Sequence, residues 1–61
     1  MDLMTLEEVS AATGVAVPPL RYWRHNGTGP TSFKLGRRVR YQRADVEAWV
    51  QKQYQAQTAS A

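Results

Sequence analysis

Residues 5–41 read TLEEVSAATGVAVPPLRYWRHNGTGPTSFKLGRRVRY, and the order of signals in this stretch decides the fold. Thr5-Leu6-Glu7-Glu8 has the form of a capping box, with Thr5 as N-cap and Glu8 three residues on. Glu7 and Glu8 also suit the positive end of a helix dipole. Leu6, Val9 and Ala12/Thr13 recur at helical spacing, and Gly14 is placed to end the helix. After the short connection Val15-Ala16-Val17, Pro18 and Pro19 open a second helix, where the first N–H groups lack partners in any case. This helix is predicted to run to about Asn26 and to stop at Gly27. At 100° per residue, Leu20 and Trp23 share its inner face, while Pro18, Arg21, Tyr22 and His25 lie outward and Arg24 falls on the flank. The fold this predicts is mainly α with a small β-hairpin, in the order α-α-β-β-α: a helix-turn-helix followed by a basic wing.

The hairpin has two possible registers. Residues 27–32 are dense in turn formers and read as a loop. Phe33-Lys34-Leu35 and Val39-Arg40-Tyr41 then alternate apolar and basic residues, as half-buried strands do. A two-residue Gly36-Arg37 turn pairs Leu35 with Arg38 and Phe33 with Arg40. A three-residue tip, Gly36-Arg37-Arg38, pairs Leu35 with Val39 and Phe33 with Tyr41 and puts all four apolar side chains on one face. Burial of one face fixes register, so the sequence favours the three-residue tip.

Beyond the hairpin, Ala44 to about Gln53 reads as a last helix. Asp45 and Glu47 sit in its first turn, Val46, Trp49, Val50 and Gln53 form its stripe, and Tyr54 extends that packing. Residues 1–54 are taken as the winged domain. Residues 55–61 have nothing to bury and are taken as a flexible tail.

Sixty-one residues support one core of modest stability. The chain has no cysteine, which excludes disulfides, cysteine-based zinc sites and thiol chemistry. No apolar run approaches the roughly 20 residues of a membrane span, and the start of the chain lacks the pattern of a signal peptide. The expectation is a soluble cytoplasmic protein without a membrane partner. The net charge is +3, unevenly placed. All five acids lie in residues 2–8 or 45–47, and the 36 residues from Val9 to Ala44 hold seven Arg or Lys and no acid. A segment of that kind gives one face a positive field and favours polyanions, nucleic acid first among them.

The helix-turn-helix needs a small residue in the first helix, a glycine in the turn and apolar residues where the helices cross. Ser10, Gly14 and the set Val9, Val15, Leu20 and Trp23 supply these, with Thr13 as a half-polar member; the plainer reading is a helical hairpin in a small core. Arg21, one turn into the second helix, is the first candidate for base reading, because arginine binds guanine O6 and N7 bidentately. Tyr22 suits a phosphate or a thymine methyl group, and Arg24 a phosphate. His25, the lone histidine, makes a poor metal site without cysteine; it reads either as an exposed residue near a helix end or as a phosphate or base contact. Arg37 and Arg38 at the hairpin tip, flanked by Lys34 and Arg40, suit the minor groove, whose narrow stretches attract arginine, or the phosphate backbone. Charged hairpins also block edge pairing between sheets, and both readings can hold. Trp23, Trp49, Phe33 and Tyr41 resemble a stacking platform for single strands, but the two tryptophans fall on core stripes. No Ser/His/Asp arrangement and no phosphate-binding glycine loop is present, so the chain reads as a non-enzyme without cofactor or metal.

On these residues the chain resembles the small excisionases, or recombination directionality factors, and the related AlpA-type regulators, which share the MerR-like winged helix-turn-helix. The resemblance covers roughly residues 3 to 51. It is carried by Leu20-Arg21-Tyr22-Trp23-Arg24, Gly27-Thr28-Gly29-Pro30, Phe33 to Tyr41, and Asp45-Val46-Glu47-Ala48-Trp49-Val50. It implies that the second helix enters the major groove of double-stranded DNA through Pro19, Arg21, Tyr22, Arg24 and His25, and that the wing contacts DNA through Lys34, Arg37, Arg38 and Arg40. Val17-Pro18-Pro19 departs from the family, whose members usually carry Ser or Thr there to cap the helix and bind phosphate; the prolines stiffen the start of the helix instead. The resemblance further implies a bacterial host, cooperative self-association on attachment-site DNA, bending of that DNA, and an integrase of a phage or mobile element as partner. An AlpA-like transcriptional regulator uses the same domain. A third reading is a protein-interaction adaptor working through the Trp49 helix or the Gln-rich tail.

Overall fold

The computed structural model describes residues 1–59; Ser60 and Ala61, the end of the expected tail, lie outside the described residues. A two-residue strand, β1 (Leu3–Met4), precedes the first helix. That helix, α1 (Leu6–Thr13), starts as its sequence demands. The Glu8 N–H donates to Thr5 Oγ1 at 3.1 Å and the Thr5 N–H donates to Glu8 Oε1 at 2.8 Å. These two bonds close the capping box. At the other end of α1 the Gly14 N–H donates to the Ser10 carbonyl. Thr13, the half-polar member of the apolar stripe, satisfies its hydroxyl locally. It donates to the Val9 carbonyl at 2.7 Å and accepts from the Val15 N–H at 3.3 Å, so the turn is pinned by the residue that looked least suited to it.

The second helix, α2 (Val17–His25), has no side-chain cap, in keeping with its prolines. Its end is a Schellman motif. The Thr28 N–H donates to the Trp23 carbonyl at 2.8 Å and the Gly27 N–H donates to the Arg24 carbonyl at 3.2 Å. This closure folds the following loop back over Trp23. A side chain at Gly29 would put its Cβ 3.0 Å from Trp23 Cβ, and φ there is +76°. The position therefore needs glycine both for space and for conformation.

The wing consists of β2 (Ser32–Leu35) and β3 (Arg38–Gln42), with the register Ser32↔Tyr41, Phe33↔Arg40, Lys34↔Val39 and Leu35↔Arg38. The two-residue Gly36-Arg37 turn is therefore the one formed, and the three-residue tip favoured on burial grounds is not. Gly36 has a φ of 67° while Arg37 keeps a negative φ. That is the pattern of a type II′ turn, whose twist matches the strands. The physical reason for this register is β1. Leu3 and Met4 pair antiparallel with Gln42 and Tyr41 and form the far edge of a three-stranded sheet in which β3 is central. Met4, with Val39 and Tyr41, fills the inner face. Phe33 and Leu35 consequently lie on the outer face, 39% and 57% exposed.

The last helix, α3 (Arg43–Thr58), begins one residue before and ends well beyond the predicted Ala44–Gln53. No Gly or Pro interrupts residues 43–58, and Gln, Ala and Lys have high helix propensity, so a helix nucleated by its packed first turns extends through them. Asp45 lies in its first turn; Glu47 falls in the second. Only Val46 of its stripe is buried, while Val50, Gln53 and Tyr54 are exposed. The helix start is held to the chain's beginning by two bonds. The Arg43 N–H donates to the Asp2 carbonyl at 2.8 Å, and Arg43 Nε pairs with Asp2 Oδ2 at 2.6 Å. The core itself is Met4, Leu6, Val9, Leu20, Tyr41 and Val46, with Val15, Val17, Trp23 and Val39 packed around it.

Candidate nucleic-acid interface

The α1–α2 crossing fixes how α2 is presented. Leu20 is 1% exposed against Val9, so the rotation of α2 is set and the residues one position on turn outward. Arg21, Tyr22, Arg24 and His25 are all exposed, Tyr22 at 66%. They do not stand alone. Together with Arg38, Val39 and Arg40 of β3 they line one open groove of 610 Å³ between the outer face of α2 and the wing. Four arginines and the only histidine thus converge from two elements well separated in sequence. Arg40 is partly ordered within it, its Nη1 donating to the Val39 carbonyl at 2.8 Å. Pro19, Lys34 and Arg37 are exposed as well but do not line this groove. Pro19 sits at the beginning of α2, Lys34 on the wing stem and Arg37 on its tip.

Leu6 and Glu7 close the same groove from the start of α1, and sequence reading missed both. Glu7 explains itself along the chain as a helix-dipole residue, and nothing in one-dimensional spacing shows that it shares a groove with Arg21 and Arg40. Glu8, its neighbour, has its carboxyl held below the ordinary range chiefly by hydrogen bonds from Thr5, with smaller help from the Arg43 and Arg40 charges.

Behind the groove, burial pushes the Tyr41 phenol above its ordinary value of 10.0, while the Arg24 charge and a Ser32 hydrogen bond pull the other way. A pKa raised by folding means that the protein's stability is intact below the unfolded-state value and declines as pH rises past it. Denaturant unfolding at stepped pH is therefore expected to show constant stability from neutral pH to about 10 and a loss above it. Tyr41→Phe should diminish that alkaline loss, and an unchanged profile in the variant would refute the assignment.

The two tryptophans, expected on core stripes, are only half-buried. Their ring centroids lie 5.6 Å apart with planes tilted by 47°, and with Thr28, Gly29 and Gln53 they line a second, uncharged groove between the loop after α2 and α3. Among the described residues no helix is long and apolar enough to cross a membrane, and no three His, Asp or Glu residues gather as a metal site.

Two helices crossing through a tight turn, followed by a hairpin that shares a basic groove with the second helix, define a winged helix-turn-helix domain. The chain belongs to the helix-turn-helix domain family, which matches residues 3–54 and so spans the whole arrangement from the first strand into α3. It matches no curated protein and no solved structure.

Proposed function

We propose that this domain binds double-stranded DNA and acts as an excisionase. In this reading α2 lies in the major groove, with Arg21 on a base edge, Tyr22 and His25 beside it, and Pro19 and Arg24 near the backbone. The wing, with Lys34, Arg37, Arg38 and Arg40, lies over the adjoining minor groove or backbone. The observation that carries DNA binding is the convergence of Arg21, Arg24 and His25 with Arg38 and Arg40 on one open groove. Four permanent cations share that groove with a single carboxylate, Glu7, so the groove stays positive. A duplex supplies regularly spaced phosphates on both sides of a helix-sized channel.

The excisionase role rests on the sequence blocks that resemble that family, above all Leu20 to Arg24 and Phe33 to Tyr41. It entails several copies bound side by side on attachment-site DNA, bending of that DNA, and an integrase directed toward excision in a bacterial cytoplasm. A single copy offers few phosphate contacts, so cooperation between copies is what would give the complex useful affinity.

A mobility-shift titration with attachment-site DNA, a promoter duplex from the same element and a scrambled duplex tests the proposal. Stepwise, cooperative bands on the attachment site are expected. Binding confined to the promoter would replace the excisionase by a transcriptional regulator, and absence of salt-sensitive binding to every duplex would remove the DNA-binding claim.

A further inference from the structure

The register of the wing leaves an unexplained leucine. Leu35 is the last residue before the Gly36-Arg37 turn, pairs with Arg38, and projects from the outer face of the sheet with 57% of its surface in water. Nothing in the fold needs it there: the inner face is completed by Met4, Val39 and Tyr41. Its immediate surroundings are cationic. Lys34 precedes it on the other face of the strand, Arg37 follows in the turn and Arg38 faces it across the strands, all of them exposed. Phe33, on the same outer face two residues back, is the nearest apolar side chain down the stem and is 39% exposed.

A single apolar side chain flanked by three cations at the end of a hairpin has a specific physical use. The cations draw the tip to a narrow minor groove, where the negative potential is highest. An apolar side chain carried in with them can slip between base steps, unstack them and kink the duplex. We propose that Leu35 is such a wedge, and that the DNA it takes is a minor groove with a flexible pyrimidine–purine step, TA or CA/TG, under the wing. The inference rests on the DNA-binding reading above and deepens it, because it assigns the bend to one side chain. The charges decide the occupant. An apolar protein surface would have to bury Lys34, Arg37 and Arg38 along with the leucine, whereas a duplex neutralises them.

The test is end-to-end fluorescence transfer on attachment-site duplexes labelled at both ends, together with affinity and salt dependence. Saturating wild-type protein is expected to shorten the end-to-end distance. Leu35→Ala should abolish most of that change while its affinity falls by less than about ten-fold and its salt slope is unaltered, since no phosphate contact is removed. Leu35→Met, which keeps a long apolar side chain, should restore bending. Replacing each pyrimidine–purine step of the site in turn by a stiff A-tract step should weaken wild type at one position by roughly ten-fold and leave Leu35→Ala indifferent there. A wild type that binds without bending, or a Leu35→Ala variant that bends like wild type, would overturn the wedge and leave DNA binding standing. Loss of stepwise cooperativity in Leu35→Ala with each bound copy still bending would overturn it too, and would assign the leucine to contact with a second copy. Failure of wild type to bind any duplex would remove the DNA reading itself.

Discussion

Leu20→Ala is expected to leave much of the chain unfolded at 25 °C, whereas Leu35→Ala is expected to melt with wild type. The two residues have the same side chain and opposite surroundings: Leu20 is 1% exposed at the α1–α2 crossing and Leu35 is 57% exposed on the wing. Truncating a buried leucine costs about 2–5 kcal/mol, because the transfer energy is lost and the neighbours collapse only partly into the cavity. One core in a chain this short supplies roughly 3–5 kcal/mol in all. The loss at Leu20 is therefore of the same size as the whole stability. Val9, 0% exposed, and Leu6 meet Leu20 in a core of six residues, and no disulfide holds the chain together once that packing goes. Thermal melts followed by circular dichroism check both variants. Leu20→Ala should lose its cooperative transition or melt lower by roughly 10 °C or more. Leu35→Ala should stay within about 4 °C of wild type, as a surface change worth no more than roughly half a kcal/mol does. Equal destabilisation by the two changes would mean that Leu35 belongs to the core and that the wing has the three-residue tip after all.

That contrast also marks where sequence stops being legible. Local signals were read correctly because their causes are local. Thr5 and Glu8 form their capping box within one turn. The prolines at the start of α2 and the glycine after its end act on neighbouring backbone only. The wing register was misread because its cause is remote. The hairpin alone offers Phe33, Leu35, Val39 and Tyr41 as candidates for one apolar face, and a reader who sees only the hairpin buries all four. The structure fills the inner face with Met4 from β1, at the far end of the domain in sequence and too short to show any alternation of its own. Two of the four hairpin residues are then displaced to the outside. α3 was cut short for a different reason: its last turns bury nothing, and a stripe-based reading ends a helix where the stripe ends. The candidate interface divides in the same way. Exposure of Arg21, Tyr22, Arg24 and His25 follows from helix rotation and was readable. That Arg38 and Arg40 rather than Lys34 and Arg37 share their groove, and that Glu7 closes it, depends on how the wing twists over α2.

Substitutions on the two halves of the basic face are expected to differ in kind. Arg21→Ala should weaken binding to the attachment site by roughly 5- to 150-fold, the range for loss of a bidentate base contact, and should weaken binding to a scrambled duplex only slightly. The position justifies the asymmetry. Arg21 lies one turn into α2 and lines the groove beside Tyr22, where a helix in the major groove brings side chains to base edges. Arg37 in the hairpin turn and Arg38 at the start of β3 would, in the proposed complex, meet phosphates and a groove that carries little sequence information. Changing both to alanine should therefore weaken both duplexes alike. It should also flatten the salt dependence. With about five phosphates neutralised, the logarithmic slope for wild type should be near −4 to −5, and losing two contacts should reduce its size by roughly two. Titrations of both variants on both duplexes between about 50 and 200 mM salt, a range over which wild-type affinity should fall on the order of several hundred-fold, separate these effects. If Arg21→Ala lowered affinity equally for both duplexes, with a shallower slope, Arg21 would be a phosphate contact and sequence reading would have to come from Tyr22 or His25. If both variants bound as wild type does, the groove between α2 and the wing would not be the DNA face. The uncharged groove floored by Trp23 and Trp49 would then be a candidate surface for the protein-adaptor reading.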